Sequence, residues 1–386
     1  MTPELLDCVA DVPLVDHHCH GLVRTDLDRT AFEELMTEAD TVSPLGTTLF
    51  DSLVGHAVRR WCAPLLDLPA HADPDDYLAR RAELGIAEVN RRFLATTGTT
   101  DYLVDGGFRP ELIIDARELG TLAGARAHDI VRLELLAEDV LRAGTTAARF
   151  ADDCAEALAK HTTAVGCKSI AAYRVGLRLA GPRPDAAEVS AAAGRWLSDM
   201  DSSGTVRLAD PVLHRFLVWL AVDQRLPVQF HVGYGDSDVH LAECDPLLLT
   251  DLLRATAPTG VPILLLHNYP FHRNAGYLAQ VFPHVFVDVG LATHNTGFRS
   301  SALIAEALEI TPFGKFLFSS DAFALAEYYH LGTWLFRKGL SDFLRTAIAE
   351  DAMTDRDAAH VAELVGHRNA RRAYRLDDRS SSFLST

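Results

Sequence analysis

Eight short apolar runs, rich in β-branched residues and separated by Ala/Leu-rich stretches of helical character, most constrain how this chain can fold. They are 12–19 (VPLVDHHC), 100–106 (TDYLVDG), 128–135 (HDIVRLEL), 164–172 (AVGCKSIAA), 226–232 (LPVQFHV), 261–267 (VPILLLH), 285–291 (VFVDVGL) and 315–321 (KFLFSSD). Such runs lack the polar alternation of a strand with one wet face. They read as strands buried on both sides, the habit of parallel sheets flanked by helices. Eight in series predict an α/β fold, a (β/α)8 TIM barrel. No internal repeat or low-complexity tract divides the 386 residues, so 1–386 reads as a single barrel domain.

Two spans exceed a plain connection. Residues 22–99 read as mostly helical (AFEELMTEAD, SLVGHAVRRWCAPLL, PDDYLARRAELGIAEVNRRFL), a helical insertion after strand one. That is the side on which barrel active sites open, so the insertion either encloses a substrate or decorates the rim. Residues 175–225 hold two helices, EVSAAAGRWLSDM and DPVLHRFLVWLAVDQ. The segment 325–376 is helical and completes the packing, and RSSSFLST reads as a frayed tail.

Composition narrows the function classes. With 36 Lys+Arg against 53 Asp+Glu the net charge is −17, the wrong field for holding a phosphate backbone or an anionic membrane. No apolar run approaches the length that spans a bilayer, and the N-terminus lacks the basic flank of a signal peptide. The six cysteines include no CxxC pair, which suits reduced thiols and a cytoplasmic location. The expected partner is a small-molecule substrate, with homo-oligomerisation compatible.

The chemistry sits at the strand ends. Strand one ends Asp16-His17-His18-Cys19-His20, strand four contains Lys168, strands five and six end at His231 and His267, and strand eight ends at Asp321. In a parallel barrel all these ends open on one face, so residues distant in sequence converge there. His18 and His20 are two apart and point to one side of a strand, which turns His17 and Cys19 the other way into packing. Four imidazoles and a carboxylate make a nitrogen/oxygen site suited to a divalent metal. Zn²⁺ fits, with Mn²⁺, Fe²⁺ or Co²⁺ also compatible.

The segments LVDHHCHG, GCKSIAAYRVGL, VQFHVGYGDSD, LLLHNYPFHRNAGYLA, VFVDVGL, FSSDAF and GHRNARRAYRL resemble the amidohydrolase superfamily. They are most similar to its amidohydrolase-related (amidohydrolase 2) branch, which includes the domain fused to glutamine-synthetase-like domains. The resemblance runs from about residue 12 to 376, and the 22–99 insertion supplies no matching motif. It implies a metal centre of one or two ions, two being favoured, held by His18, His20, His231, His267 and Asp321. Lys168 falls where binuclear members carry a bridging carbamate; the alternative is a lysine paired with an acid or a substrate carboxylate. The implied activity is metal-dependent hydrolysis of a C–N amide bond in a small carboxylated, γ-glutamyl-type substrate. Asp321 would move the proton and His267 would assist at the carbonyl. The alternatives are a one-metal decarboxylase of the same fold, an aldose–ketose isomerase, or a binding module with a structural metal.

Around the mouth, Arg174 with Tyr173 beside it suits a substrate carboxylate. Asp236, in the glycine-bounded loop after strand five, suits a substrate ammonium. Tyr269, His272 and Arg273 lie just beyond His267, and His294 follows strand seven; all four are candidates for substrate contact. The segment Asn369-Ala370-Arg371-Arg372 reads as a structural helix that closes the barrel.

Overall fold

Among the described residues, seven strands make one sheet in which every neighbour pair is parallel and follows chain order. They are β1 (Leu14–Cys19), β2 (Thr99–Asp105), β3 (Arg126–Arg132), β4 (Gly166–Ser169), β5 (Val228–Val232), β6 (Ile263–His267) and β7 (Val285–Val287). The computed structural model describes residues 5–41 and 43–380; most of the expected tail, RSSSFLST, lies outside them.

The expected eighth strand, 315–321, is not a regular strand, yet it closes the ring. Val287 and Phe316 form a parallel bridge, and the Leu317 amide donates to the Val287 carbonyl at 3.0 Å. On its other side the His17 amide donates to Phe318 O at 3.2 Å, and the Asp321 amide donates to His18 O at 3.0 Å. Two further runs are shorter than expected. Residues 171–173 form a helical turn after β4, and Gly290–Asn295 is a helix rather than the end of a strand.

Alternation along the strands sorts the side chains. Val228, Phe230 and Val232 of β5, Ile263 and Leu265 of β6, and Val285 and Val287 of β7 face the surrounding helices. Val15, Leu103, Ile130, Val165, Leu264, Phe286 and Leu317 fill the lower lumen in one layer, the packed interior expected of such a barrel. The C-terminal helix Asn369–Tyr374 plugs this end: Ala370, Ala373 and Tyr374 join the layer. Asn369 donates to Phe313 O and Phe316 O at 2.7 and 2.8 Å.

The 22–99 insertion contains the helices Arg29–Glu34, Leu53–Ala57 and Pro74–Leu94. The last starts where Asp73 caps its first turn and Pro74 takes a position that needs no N–H donor. Phe32, Phe50, Tyr77 and Phe93 pack with Tyr329, Leu331 and Leu335 of the long helix Ala326–Ala349. The first helix is shorter than the sequence suggests. It stops at Glu34, and the chain from Glu34 to Asp40 turns toward the strand ends. None of the described helices is long and apolar enough to cross a membrane.

Candidate metal centre

The C-terminal strand ends open on a cavity of about 610 Å³. At its base His18, His20 and Asp321 place one ligand atom each within 4.8 Å of one another. Asp321 Oδ1 lies 3.2 Å from His18 Nε2 and 3.7 Å from His20 Nε2, and its Oδ2 lies 3.2 Å from His267 Nδ1. Lys168 Nζ is 3.1 Å from His18 Nε2. His231 stands one step outside this group: its ring centroid is 4.8 Å from that of His267, and its Nε2 meets Tyr234 O at 3.1 Å.

Local backbone explains the convergence. A register shift between Asp16 and Cys19 breaks the alternation of β1, as a bulge does. His17 therefore does not pack on the outer face, as strict alternation requires. It reaches across the barrel, with Nε2 2.9 Å from Asp288 Oδ2 and Nδ1 3.1 Å from the Tyr374 hydroxyl. Cys19 does turn outward, into the cluster beneath the insertion. His267 and Asp321 both adopt left-handed backbone, at φ 68° and 49°. Such conformations cost about 1–3 kcal/mol in a non-glycine residue and persist only where the surroundings enforce them.

For His267 the enforcing group is Asp288. Its Oδ1 accepts the amides of His267 at 2.9 Å and Gly290 at 2.7 Å and the Ser319 hydroxyl at 3.0 Å. Only glycine fits at 290, because a Cβ there would lie 2.1 Å from Ser319 Oγ. On β1, His20 Nδ1 meets Asp105 O at 2.8 Å. A carbonyl only accepts, so Nδ1 carries the proton and Nε2 turns a bare lone pair toward Asp321.

The electrostatics suit a bound cation in addition to Lys168. Burial, then the Lys168 charge, hold His18 and His231 well below the usual imidazole range, and burial followed by His231 does the same for His267. Burial pushes His20 down to about 4 and Lys168 down to about 8. The Asp321 carboxyl is pushed well up by burial, against the pull of Lys168. Buried neutral imidazoles around a carboxylate that resists ionising form a donor set whose charge logic a divalent ion would invert. His267 Nδ1, although near Asp321, has no aligned hydrogen bond. The residues present thus fit a metal.

The expected substrate contacts divide. Tyr173, Arg174, Asp236 and His294 line the cavity. Tyr173 brings its hydroxyl 3.4 Å from His231 Nδ1, and Arg174 is already paired with Glu138 at 3.1 Å. His294 is 1% exposed and stacks on Tyr328 at 4.2 Å. Tyr269, His272 and Arg273 do not line it. His272 turns to Glu306 at 3.0 Å, Arg273 forms a surface pair with Glu309 at 2.8 Å, and Tyr269 stacks on His272. The chain starts a helix at His272, which carries these side chains away from the mouth.

Sequence reasoning missed several lining residues. Arg132 ends β3 and holds Asp105 at 2.6 Å; the strand-end rule that found Lys168 would have found it. Phe108 and Phe323 flank the His20 ring at 6.0 and 5.7 Å. Glu38 arrives from the insertion, and no pattern in the sequence marks it.

Comparison with known proteins agrees with this architecture. The amidohydrolase family model matches residues 63–376. That match begins after β1, so it leaves out His18 and His20. A solved structure from Lactobacillus casei, assigned as a metal-dependent hydrolase, is 31% identical, covers 96% of this chain and 97% of its own, and superposes with a TM-score of 0.84. A uronate isomerase from Thermotoga maritima shares the fold at 13% identity and TM-score 0.63, over 95% of this chain and 96% of that one. Protein fluG of Emericella nidulans is 26% identical over 412 residues, covering 96% of this chain and 46% of fluG. The chain therefore spans about half the length of that curated relative.

Proposed function

Given that the chain belongs to the amidohydrolase family, we propose that it is a hydrolase that cleaves a C–N amide bond of a small carboxylated, γ-glutamyl-type substrate. Its fold class is that of metal-dependent enzymes, and the ions proposed are two Zn²⁺. His18, His20, His231, His267 and Asp321 would hold them, together with Lys168 as a carbamate. Burial favours that modification, because it lowers Lys168 to about 8 and so raises the share of neutral amine that can capture CO₂. When bound, the metal supplies a lowered pKa for water and polarisation of the scissile carbonyl.

The remaining work falls to the chain. A carboxylate oxygen of Asp321 takes one proton from the attacking water and delivers it to the leaving nitrogen, so the amine departs neutral. His267 lies beside that carboxylate at 3.2 Å and would assist polarisation of the carbonyl at its oxygen. Arg174 and Tyr173 orient the substrate carboxylate from the loop after β4. Phe108 and Phe323, with ring centroids 4.9 Å apart, give the His20 side of the cavity an apolar wall.

The observation that carries this reading is the burial of His20, His231, His267, Lys168 and Asp321 in the lining of one cavity, with buried His18 3.2 Å from Asp321. Metal analysis of protein purified without chelator, joined to a screen of N-acyl and γ-glutamyl amides, tests it. Two ions per chain and release of amine are expected. A metal-free, inactive preparation that gains nothing from Zn²⁺ or Mn²⁺ overturns it. A single ion with release of CO₂ from a carboxylated substrate would make the chain a decarboxylase.

A further inference from the structure

We infer that the part of the cavity between the insertion and the loop after β5 is a subsite for a protonated amine, formed by Glu38, Asp236, Tyr328 and His294. The inference rests on the hydrolase reading and names the residues that would take the ammonium of its γ-glutamyl-type substrate.

Glu38 and Asp236 come from elements far apart in sequence and face the same cavity. Burial first, and then the charge of another acid, Asp236, push Glu38 up to about 7. The nearby acids are already engaged: Asp238 pairs with Arg207 at 2.9 Å, and Asp40 accepts the Ser237 hydroxyl. On the opposite side of the charge balance, Arg132 and Arg174 are paired with Asp105 and Glu138. Arg109 and Arg207 also line the cavity, and Arg207 acts on Asp236 as well as pairing with Asp238, but among the described residues no cation is ion-paired with Glu38.

Two orphaned polar groups point to a ligand at the same place. Tyr328 is 5% exposed and lines the cavity, yet its hydroxyl has no partner. His294, stacked on it, has an unpartnered Nδ1. Tyr173 and Tyr328 line the same cavity as Glu38. An ammonium group brings three N–H donors, which carboxylate oxygens, a tyrosine oxygen and an imidazole lone pair accept. It is also attracted by aromatic faces. A neutral or anionic group in this place would leave the acids uncompensated.

The experiment compares γ-L-glutamyl p-nitroanilide with glutaryl p-nitroanilide, which differ only in the amine. In the metal-loaded protein kcat/KM should favour the amine-bearing anilide by about 10- to 100-fold, the worth of a charge-assisted hydrogen bond. Glu38→Gln and, separately, Asp236→Asn should each cut that ratio about tenfold. A binding arm needs no turnover: calorimetry of L-glutamate against glutarate should show the same preference and the same loss. Equal hydrolysis of both anilides, or a ratio unmoved in both variants, overturns the subsite and leaves the hydrolase reading intact. If neither anilide is cleaved but glutamate is preferred over glutarate and Glu38→Gln removes the preference, the reaction is wrong and the subsite stands.

Discussion

Asp288 does not line the cavity itself, yet it should decide whether the metal centre forms. Its Oδ1 takes three donors, the amides of His267 and Gly290 and the Ser319 hydroxyl, and its Oδ2 takes His17 Nε2. In Asp288→Ala the three donors on Oδ1 lose their acceptor, at about 1–3 kcal/mol each when buried. The space vacated admits one water, which restores part of this, so the net cost should be about 3–5 kcal/mol. Unfolding entropy of roughly 2.1 cal/mol/K per residue over 386 residues gives about 0.8 kcal/mol/K, and hence a fall in Tm of about 4–6 °C. The left-handed backbone of His267 would also relax, and metal affinity should drop about 10- to 100-fold, the usual effect of removing a group that orients a ligand. Asp288→Asn is the control. Its amide oxygen keeps the three donors while its NH₂ forces His17 to the other tautomer, so it should cost about 1–2 kcal/mol and retain the metal. Urea unfolding, with metal content after dialysis against graded chelator, reads both effects. Asp288→Ala within 1 kcal/mol of wild type and with undiminished metal would refute the reasoning.

Three other outcomes are expected. Asp321→Asn tolerates the left-handed backbone but loses the proton carrier, so turnover should fall about 10²- to 10⁴-fold with most of the metal kept; near-normal kcat would remove the role given to Asp321. Arg81 and Glu327 form a buried pair at 2.9 Å that ties the insertion to the long C-terminal helix, although Arg81 Nη2 and Glu327 Oε2 lack partners. Arg81→Met alone should cost about 3–5 kcal/mol and Arg81→Met with Glu327→Leu close to nothing, which a double-mutant cycle in urea measures. Asp101 works against burial, but hydrogen bonds from His128 and Arg126 hold its carboxyl well below the usual range. Its stabilisation is therefore full above the unfolded value of about 4 and is lost as pH falls through the lower folded value. Asp101→Asn should flatten the acid limb of stability against pH, and an unchanged limb would count against it.

Much of the site was legible because strand ends in a parallel barrel share one face, and the order His18-x-His20, Lys168, His231, His267, Asp321 can be read without coordinates. Arg132 obeys the same rule and was overlooked. His272 and Arg273 misled because nearness to a ligand in sequence says nothing once the chain enters a helix at His272. His17 misled differently: a bulge in β1 turns it into the lumen, and bulges depend on pairing with a neighbouring strand rather than on local composition.

By itself, then, the sequence determined the barrel, its helical insertion and the residues that meet at the strand ends, since hydrophobic periodicity and chain order are local properties. Tertiary structure alone decided that Asp288 supports His267 from behind, that Tyr374 reaches His17 through the barrel floor, and that Glu38 enters the cavity from the insertion. Each depends on contacts between segments far apart in the chain: Tyr374 and His17 are separated by 357 positions. No periodicity encodes such a distance; only closure of the barrel does.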